Sequence, residues 1–447
     1  MMRKSGAHFT SCPEERYEEL LSEKVERLSG LIRGVAGNLS VPSVEVFDSP
    51  RSHFRMRANF NIFRDNPPNK KGGGEGGGGD DFYYAMFDST VEDKRKPACE
   101  ITVFPRGTIF LNTLMDRVMT TLKKPEFLTL ASSLFEVRFV CTQTEQAVIV
   151  LLYRRPLVHN WAELAALALE QINPDKGKHI VKLVGRAHKA KVVIGQDDDD
   201  DDTIEEIYTV TQQQQQRQIY LYQTEGAFSQ PNAVVCEKML SWVCDITADE
   251  SWRAHDLLEL YCGGGTFTAA LCDNFRTVLA TEMSKESVKL AERCFAKNAK
   301  TNVKVARMSS EEFETAMNGT RAGGGEFKRL KEKGIDLKKD YDFSTVFVDP
   351  PRAGLDPATC KLLCNFDHIL YISCNPETLA RDVKAILQTG QYSIERLAAF
   401  DQFPYTHHLE SGVYLKKATL ATALGKRKPE NQDAGDGKEE EEEEEEE

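Results

Sequence analysis

Cys374 lies in Ile372-Ser373-Cys374-Asn375-Pro376, after an apolar run from His368 to Ile372 that reads as a buried strand. Thirty-six residues later Glu410 ends the stretch Asp401-Gln402-Phe403-Pro404-Tyr405-Thr406-His407-His408-Leu409-Glu410, expected as a loop. A thiol delivered by a strand end, with a carboxylate behind it, suits chemistry on an unreactive ring carbon. Addition of a thiolate to one end of an electron-poor ring double bond makes the neighbouring carbon enolate-like and able to take an electrophile. A base must then remove that carbon's proton before the thiolate can leave. A free thiol is only slightly ionised at neutral pH, so a neighbour must help, and Arg352 and Arg381 are the nearby cations in sequence. The alternative, a buried cysteine that only fills space, fits poorly with a thiol followed at once by the strand-breaking Asn375-Pro376.

Such a pair needs a sheet whose strand ends converge, and the chain from Pro231 onward has that pattern. Strands are expected at 256–261, 277–281, 302–307, 344–349, 367–373, 393–400 and 411–416, with helices between most of them. This is a doubly wound parallel sheet with an antiparallel end. The first strand runs into Tyr261-Cys262-Gly263-Gly264-Gly265-Thr266, a glycine turn before a helix where backbone can approach a ligand. Glu282, nineteen residues after Gly263, closes the next strand, where an acid can accept from ribose hydroxyls. A dinucleotide fingerprint wants a third glycine where Thr268 stands. S-adenosylmethionine, with a ribose and no pyrophosphate, fits the turn and its distal acid better. Asp349-Pro350-Pro351-Arg352 ends the fourth strand, with the two prolines stiffening the loop behind the acid.

Residues 1–225 read as a mixed α+β domain. A helix is expected over 16–34, and strands and helices alternate from residue 53. His53, Arg55, Arg57, Asn59 and Asn61 alternate with Phe54, Met56, Ala58, Phe60 and Ile62, which predicts a strand with one greasy and one basic face. Low-complexity insertions are expected near 66–81 and 195–217, the second as a lengthened hairpin tip, and a third near 319–340. The catalytic domain is expected over 226–423 and a disordered acidic tail over 424–447.

The chain has 447 residues, 40% of them apolar, enough for two cores. Its net charge of −13 is concentrated in Asp197–Asp202 and Glu439–Glu447. Without those fifteen charges the body stands near +2, so the acidity does not argue against a nucleic-acid partner. The runs themselves are expected to be solvated and disordered. Eleven scattered cysteines, with no signal peptide and no apolar stretch long enough to span a bilayer, point to a reducing interior. A cytoplasmic monomer is expected, with nucleus and organelle also open. Cys360 and Cys364 lack a second ligand pair, and only Cys12, Cys99 and Cys141 occur in the first two hundred residues, so neither a metal nor an iron–sulfur site is expected.

Phe228-Ser229-Gln230-Pro231-Asn232, Leu258-Glu259-Leu260-Tyr261-Cys262-Gly263, Asp349-Pro350-Pro351-Arg352-Ala353-Gly354, the Cys374 segment and the Glu410 segment together resemble the RNA uracil-5-methyltransferases, above all the bacterial-type tRNA branch. The likeness continues through Tyr17–Leu28, Ser52–Arg57, residues 134–155 and Leu183–Arg186. It implies a Rossmann-like S-adenosylmethionine-dependent methyltransferase domain preceded by an α+β RNA-recognition domain. It also implies methylation of C5 in tRNA, at uridine 54 of the T-loop. In this resemblance Cys374 is the nucleophile and Glu410 the proton acceptor, while Gln230, Tyr261, Glu282 and Asp349 line the donor site with Gly263, Gly265 and Thr266. The family usually carries Asn at the position of Thr266 and often at Gly264, a departure that bears on donor affinity more than on reaction type. Arg55, Arg57 and Asn59 are the expected RNA contacts. The alternatives are another RNA substrate, or an RNA-binding or RNA-folding protein that has lost donor binding.

Overall fold

Tyr17, Leu21, Leu28 and Ile32 fall on one face of a helix, and the computed structural model buries that face in α1 (Tyr17–Ala36), ahead of the short strand β1 (Val44–Phe47). The structure describes residues 4–5, 10–64, 81–87, 98–175, 177–195, 201–319 and 327–418. The expected insertion near 66–81 and the tail after 418 lie outside the described residues, apart from Asp81.

The first sheet uses β2 (Arg57–Arg64), β3 (Phe82–Phe87), β4 (Ala98–Glu100), β5 (Leu134–Cys141), β6 (Ala147–Tyr153), β7 (Val181–Ala187) and β8 (Ala190–Ile194). With the two-residue strand Lys4–Ser5 at one edge its order is Lys4–Ser5, β4, β3, β2, β5, β6, β7, β8. The period-two alternation holds in β2, where Ala58, Phe60 and Ile62 are buried. They join a core closed by α2 (Ile109–Leu122) and α3 (Trp161–Ile172) through Leu111, Leu114, Val118, Trp161 and Leu169. The hairpin β9 (Ile204–Gln212) and β10 (Gln215–Gln223) follows.

The second sheet is built from β11 (Asp256–Leu260), β12 (Thr277–Glu282), β13 (Val303–Arg307), β14 (Phe343–Val348), β15 (His368–Ser373), β16 (Tyr392–Phe400) and β17 (Glu410–Lys417). Its order is β13, β12, β11, β14, β15, β17, β16, β1. β11 to β15 run parallel, and β17 lies antiparallel between β15 and β16. The helices α4 (Ala233–Ile246), α5 (Thr266–Leu271) and α6 (Lys285–Lys297) cover one face. α1, α7 (Ser310–Asn318), α8 (Pro357–Leu363) and α9 (Pro376–Leu387) cover the other. This is the expected doubly wound, Rossmann-like sheet with an antiparallel end.

Packing crosses the expected boundary at residue 225. α1 lies on α9, β1 is an edge strand of the second sheet, and the β9–β10 hairpin packs against α4 and α6. The glutamine run does not lengthen a loose tip. Gln213 and Gln214, with φ 48° and 66°, form the turn, and within the ladder Gln212 pairs with Gln215 and Gln216 with Thr211. The end of the aspartate run is also bonded: Asp202 is buried and accepts from Lys191 Nζ at 2.6 Å. In the segment expected as a third insertion Leu330, Ile335 and Leu337 are core residues, because each has apolar neighbours to join.

Candidate active site

Four strand ends of the second sheet meet at one mouth, the place where α/β sheets lodge ligands. At the end of β11 the backbone turns sharply: Tyr261, Gly263 and Gly265 have φ of 63°, 54° and 83°. A side chain at Gly265 would be both strained and obstructed, since its Cβ would lie 2.8 Å from the Phe295 ring. Tyr261 accepts left-handed strain without being glycine, and its hydroxyl is 2.8 Å from Ser310 Oγ. Glu282 caps this turn, accepting from the Gly263 N–H at 3.0 Å and from the Ser284 N–H at 2.7 Å. Thr266 is the first residue of α5, half-buried beside the glycines.

Asp349 follows β14, and Cys374 follows β15. Glu410 is not in a loop, as expected, but opens β17 and is buried. The antiparallel register pairs Ser373 with Ser411, so the next step along each chain sets Cys374 opposite Glu410. The electrostatics agree with this closeness. Burial first, then the Glu410 and Asp349 carboxylates, push the Cys374 thiol up to about 11, while Arg352 pulls it down. Burial, reinforced by Asp349, raises Glu410 well above the usual carboxylate range, and burial raises Asp349 too. Glu410 Oε2 is buried with no hydrogen-bond partner among the described residues, a lone pair left for a ligand.

Arg352 is the cation that reaches the thiol's surroundings. Its Nη2 lies 3.1 Å from His408 Nδ1, which accepts because burial and nearby cations keep His408 neutral, lowering it to about 4. Arg381 is committed elsewhere, to Asp382 and to the Ala353 and Leu355 carbonyls. Gln230 is buried and its Oε1 accepts from Gln402 Nε2 at 3.1 Å. Gln402 is also buried, and a lone amide in a polar stretch gives no sequence signal of that.

The polar side of the 53–61 segment turns part of its hydrogen bonding inward. Arg55 and Arg57 are half-buried, and Nε of Arg55 donates to the Arg57 carbonyl while Nη1 of Arg57 donates to the Ala227 carbonyl and Ser229 Oγ. Asn59 is exposed. The three residues line a cleft of about 600 Å³ together with Arg106, Phe228 and Phe403. Phe228, 72% exposed, lies in this cleft with Phe403, which comes from the segment leading to Glu410. Among the described residues no three His, Cys, Asp or Glu side chains gather as metal ligands.

Comparison with known proteins agrees with this architecture. The family model described as tRNA (Uracil-5-)-methyltransferase matches residues 16–418. The chain belongs to the tRNA (uracil-5-)-methyltransferase family. Within that family it is 41% identical over 404 residues, 90% of this chain and 97% of the relative, to a tRNA/tmRNA (uracil-C(5))-methyltransferase of Vibrio parahaemolyticus. A relative of the same description from Acinetobacter baylyi is 40% identical over 403 residues, 90% of this chain and 99% of the relative. In fold the chain is similar to the crystal structure of Pyrococcus abyssi tRNA (uracil-54, C5)-methyltransferase with S-adenosyl-L-homocysteine, at TM-score 0.61 and 20% identity, covering 89% of this chain and 83% of that one. Membership makes the chain a methyltransferase.

Proposed function

We propose that this protein transfers a methyl group from S-adenosylmethionine to C5 of uridine 54 in the T-loop of tRNA, through a covalent bond between Cys374 and C6. The observation that carries this reading is the register that sets Cys374 opposite the unpartnered Glu410 carboxylate. The relatives' descriptions support the RNA class. Transfer-messenger RNA, named with tRNA for those relatives, shares the reading wherever it presents a similar loop.

The donor site is the glycine turn with Gly263, Gly265 and Thr266, flanked by Gln230, Tyr261, Glu282 and Asp349. Asp349 and Glu410 are both raised by burial, and a cation bound beside them would offset that by favouring their ionised forms, whereas an anion would add to the cost. That selects a sulfonium donor over a pyrophosphate cofactor. Bound there, the donor supplies an electrophilic methyl carbon. If Glu282 holds ribose hydroxyls, Glu282→Ala weakens donor binding about 10- to 100-fold, the size of losing charged hydrogen bonds. Calorimetry with S-adenosylmethionine checks this, and unchanged affinity removes Glu282 from the site.

The target uracil must leave the loop's stack to reach a thiol at a strand end. Arg55, Arg57 and Asn59 hold the RNA in the cleft, and Phe228 and Phe403 offer aromatic surface to unstacked bases. The Cys374 thiolate adds to C6, and the electron pair of the C5–C6 double bond makes C5 the nucleophile. After methylation Glu410 takes the C5 proton. The C5–H electron pair restores the double bond and expels the thiolate, so the thiol is unchanged over the cycle. A raised carboxyl is the stronger base once ionised.

The eleven cysteines are all free, in keeping with a reducing compartment such as the cytoplasm. In the described residues no helix is long and apolar enough to cross a membrane. The position is tested by incubating the protein with an unmodified tRNA transcript and labelled donor, then mapping 5-methyluridine by nuclease digestion and mass spectrometry. The expected product carries one methyl group at U54, and methylation confined to other uridines overturns the assignment.

A further inference from the structure

The segment 401–409, which delivers Glu410, is strapped to the N-terminal part of the chain. Lys24 lies on the buried stripe of α1, between Leu21 and Leu28, where a leucine or methionine would satisfy the helix. Its side chain is 5% exposed, and Nζ donates to Asp401 Oδ1 at 2.7 Å and to the Phe403 carbonyl at 3.0 Å. Asp401 is equally enclosed, its side chain 2% exposed. Around this pair the same two segments are joined again. Arg27 Nη2 donates to the His407 carbonyl at 2.7 Å, and the Asp401 N–H donates to the Phe47 carbonyl at 2.9 Å. The Tyr405 hydroxyl donates to the Arg51 carbonyl at 2.7 Å, and its ring meets Tyr17 edge-on at 5.8 Å. On its other side the segment presents Gln402 to Gln230, His408 to Arg352 and Glu410 to the thiol.

A buried ion pair is a costly way to pack a helix, and losing one partner leaves the other charge unpaired. Its use here is directional: an ammonium with two acceptors on one loop fixes that loop against α1. We propose that Lys24 is a positioning residue for the proton-removal step, clamping the 401–409 segment so that Glu410 faces C5 of the adduct. Cys374 follows β15, which is held by β14 and β17, and Lys24 bonds to neither Cys374 nor that strand. The contact of α1 on the thiol's side is that of Arg27 Nε with Glu377 Oε1, at 3.6 Å. Loosening the clamp therefore spares thiolate addition and slows the later step, in which the C5–H bond breaks, its proton passes to Glu410 and its electron pair expels the thiolate. This rests on the reading of Glu410 as the base.

The test uses the full-length protein with Lys24→Met, Lys24→Arg and the double variant Lys24→Met/Asp401→Leu. Turnover is measured on ordinary T-loop RNA, and adduct formation on RNA with 5-fluorouridine at the target. In Lys24→Met, turnover is expected to fall at least about 10-fold while trapping stays within about threefold and methylated adduct accumulates on ordinary RNA. Lys24→Arg is expected to restore part of the turnover. If Lys24→Met does not fold, the double variant, which leaves no charge unpaired, decides, with the same split expected. Normal turnover in the variant that folds, or turnover and trapping falling together, overturns the clamp. Wild-type protein that traps no fluorinated RNA refutes the underlying reading instead.

Discussion

Cys374→Ala abolishes methyl transfer, lowering turnover by about 10⁴-fold or more, as removal of a covalent nucleophile does. Uracil C5 has no lone pair to offer, so without addition at C6 the donor meets an unreactive carbon. The loss is not one of folding. Cys374 is half-buried at a strand end, and exchanging Sγ for hydrogen there costs about 1 kcal/mol or less. RNA and donor affinities should stay within severalfold of wild type, because the cleft and the glycine turn are built from other residues. Single-turnover kinetics with labelled donor, beside a thermal melt, separate the two. A variant retaining a tenth of wild-type activity would mean that methyl transfer goes to a nitrogen or oxygen acceptor and that the thiol is idle.

Glu410→Gln lowers turnover by about 10²- to 10⁴-fold, the range of a lost general base, yet leaves the protein covalently attached to its RNA. The amide keeps the size of the carboxyl but cannot take the C5 proton, so the methylated adduct has no exit. The same change alters the thiol in the opposite sense. An ionised Glu410 pushes Cys374 up, and the neutral amide removes that push. At a pH where the wild-type carboxyl is ionised, adduct formation in the variant should be as fast or faster while product release stalls. In the wild type, turnover rises with pH, because both the raised thiol and the raised carboxyl must lose protons to act. Gel-shift analysis under denaturing conditions detects the stalled adduct. Turnover within tenfold of wild type, or no adduct, removes Glu410 from proton transfer.

Much of the site was legible because catalytic side chains at the ends of buried strands announce themselves twice, by the apolar run and by what interrupts it. Asp349, Cys374 and the glycine turn fall at strand ends in the structure as the run lengths predict. Glu410 was read as the last residue of a loop, one short of the strand expected at 411–416, because Leu409-Glu410-Ser411 gives no apolar onset; the strand begins at Glu410 itself. Periodicity tells which face of an element is buried but not against what. α1 was therefore placed with residues 1–225 without α9 or Asp401 as its neighbours, and β1 was not expected. Lys24 did leave a trace, a charge on the apolar stripe Tyr17, Leu21, Leu28, Ile32. Arg55 and Arg57 were legible as a polar face, but strand alternation cannot foresee acceptors such as the Ala227 carbonyl arriving from 170 residues away.

The central claim is that Cys374 forms a bond to the uracil. Full-length protein is incubated with S-adenosylmethionine and a T-loop RNA carrying 5-fluorouridine at the target, then digested and analysed by mass spectrometry. Fluorine at C5 cannot leave as a proton, so the cycle stops after methylation. The predicted result is a methylated fluorouridine nucleotide on the peptide that contains Cys374, stable to denaturation and dependent on the donor. No adduct, or an adduct confined to another cysteine, would contradict the account.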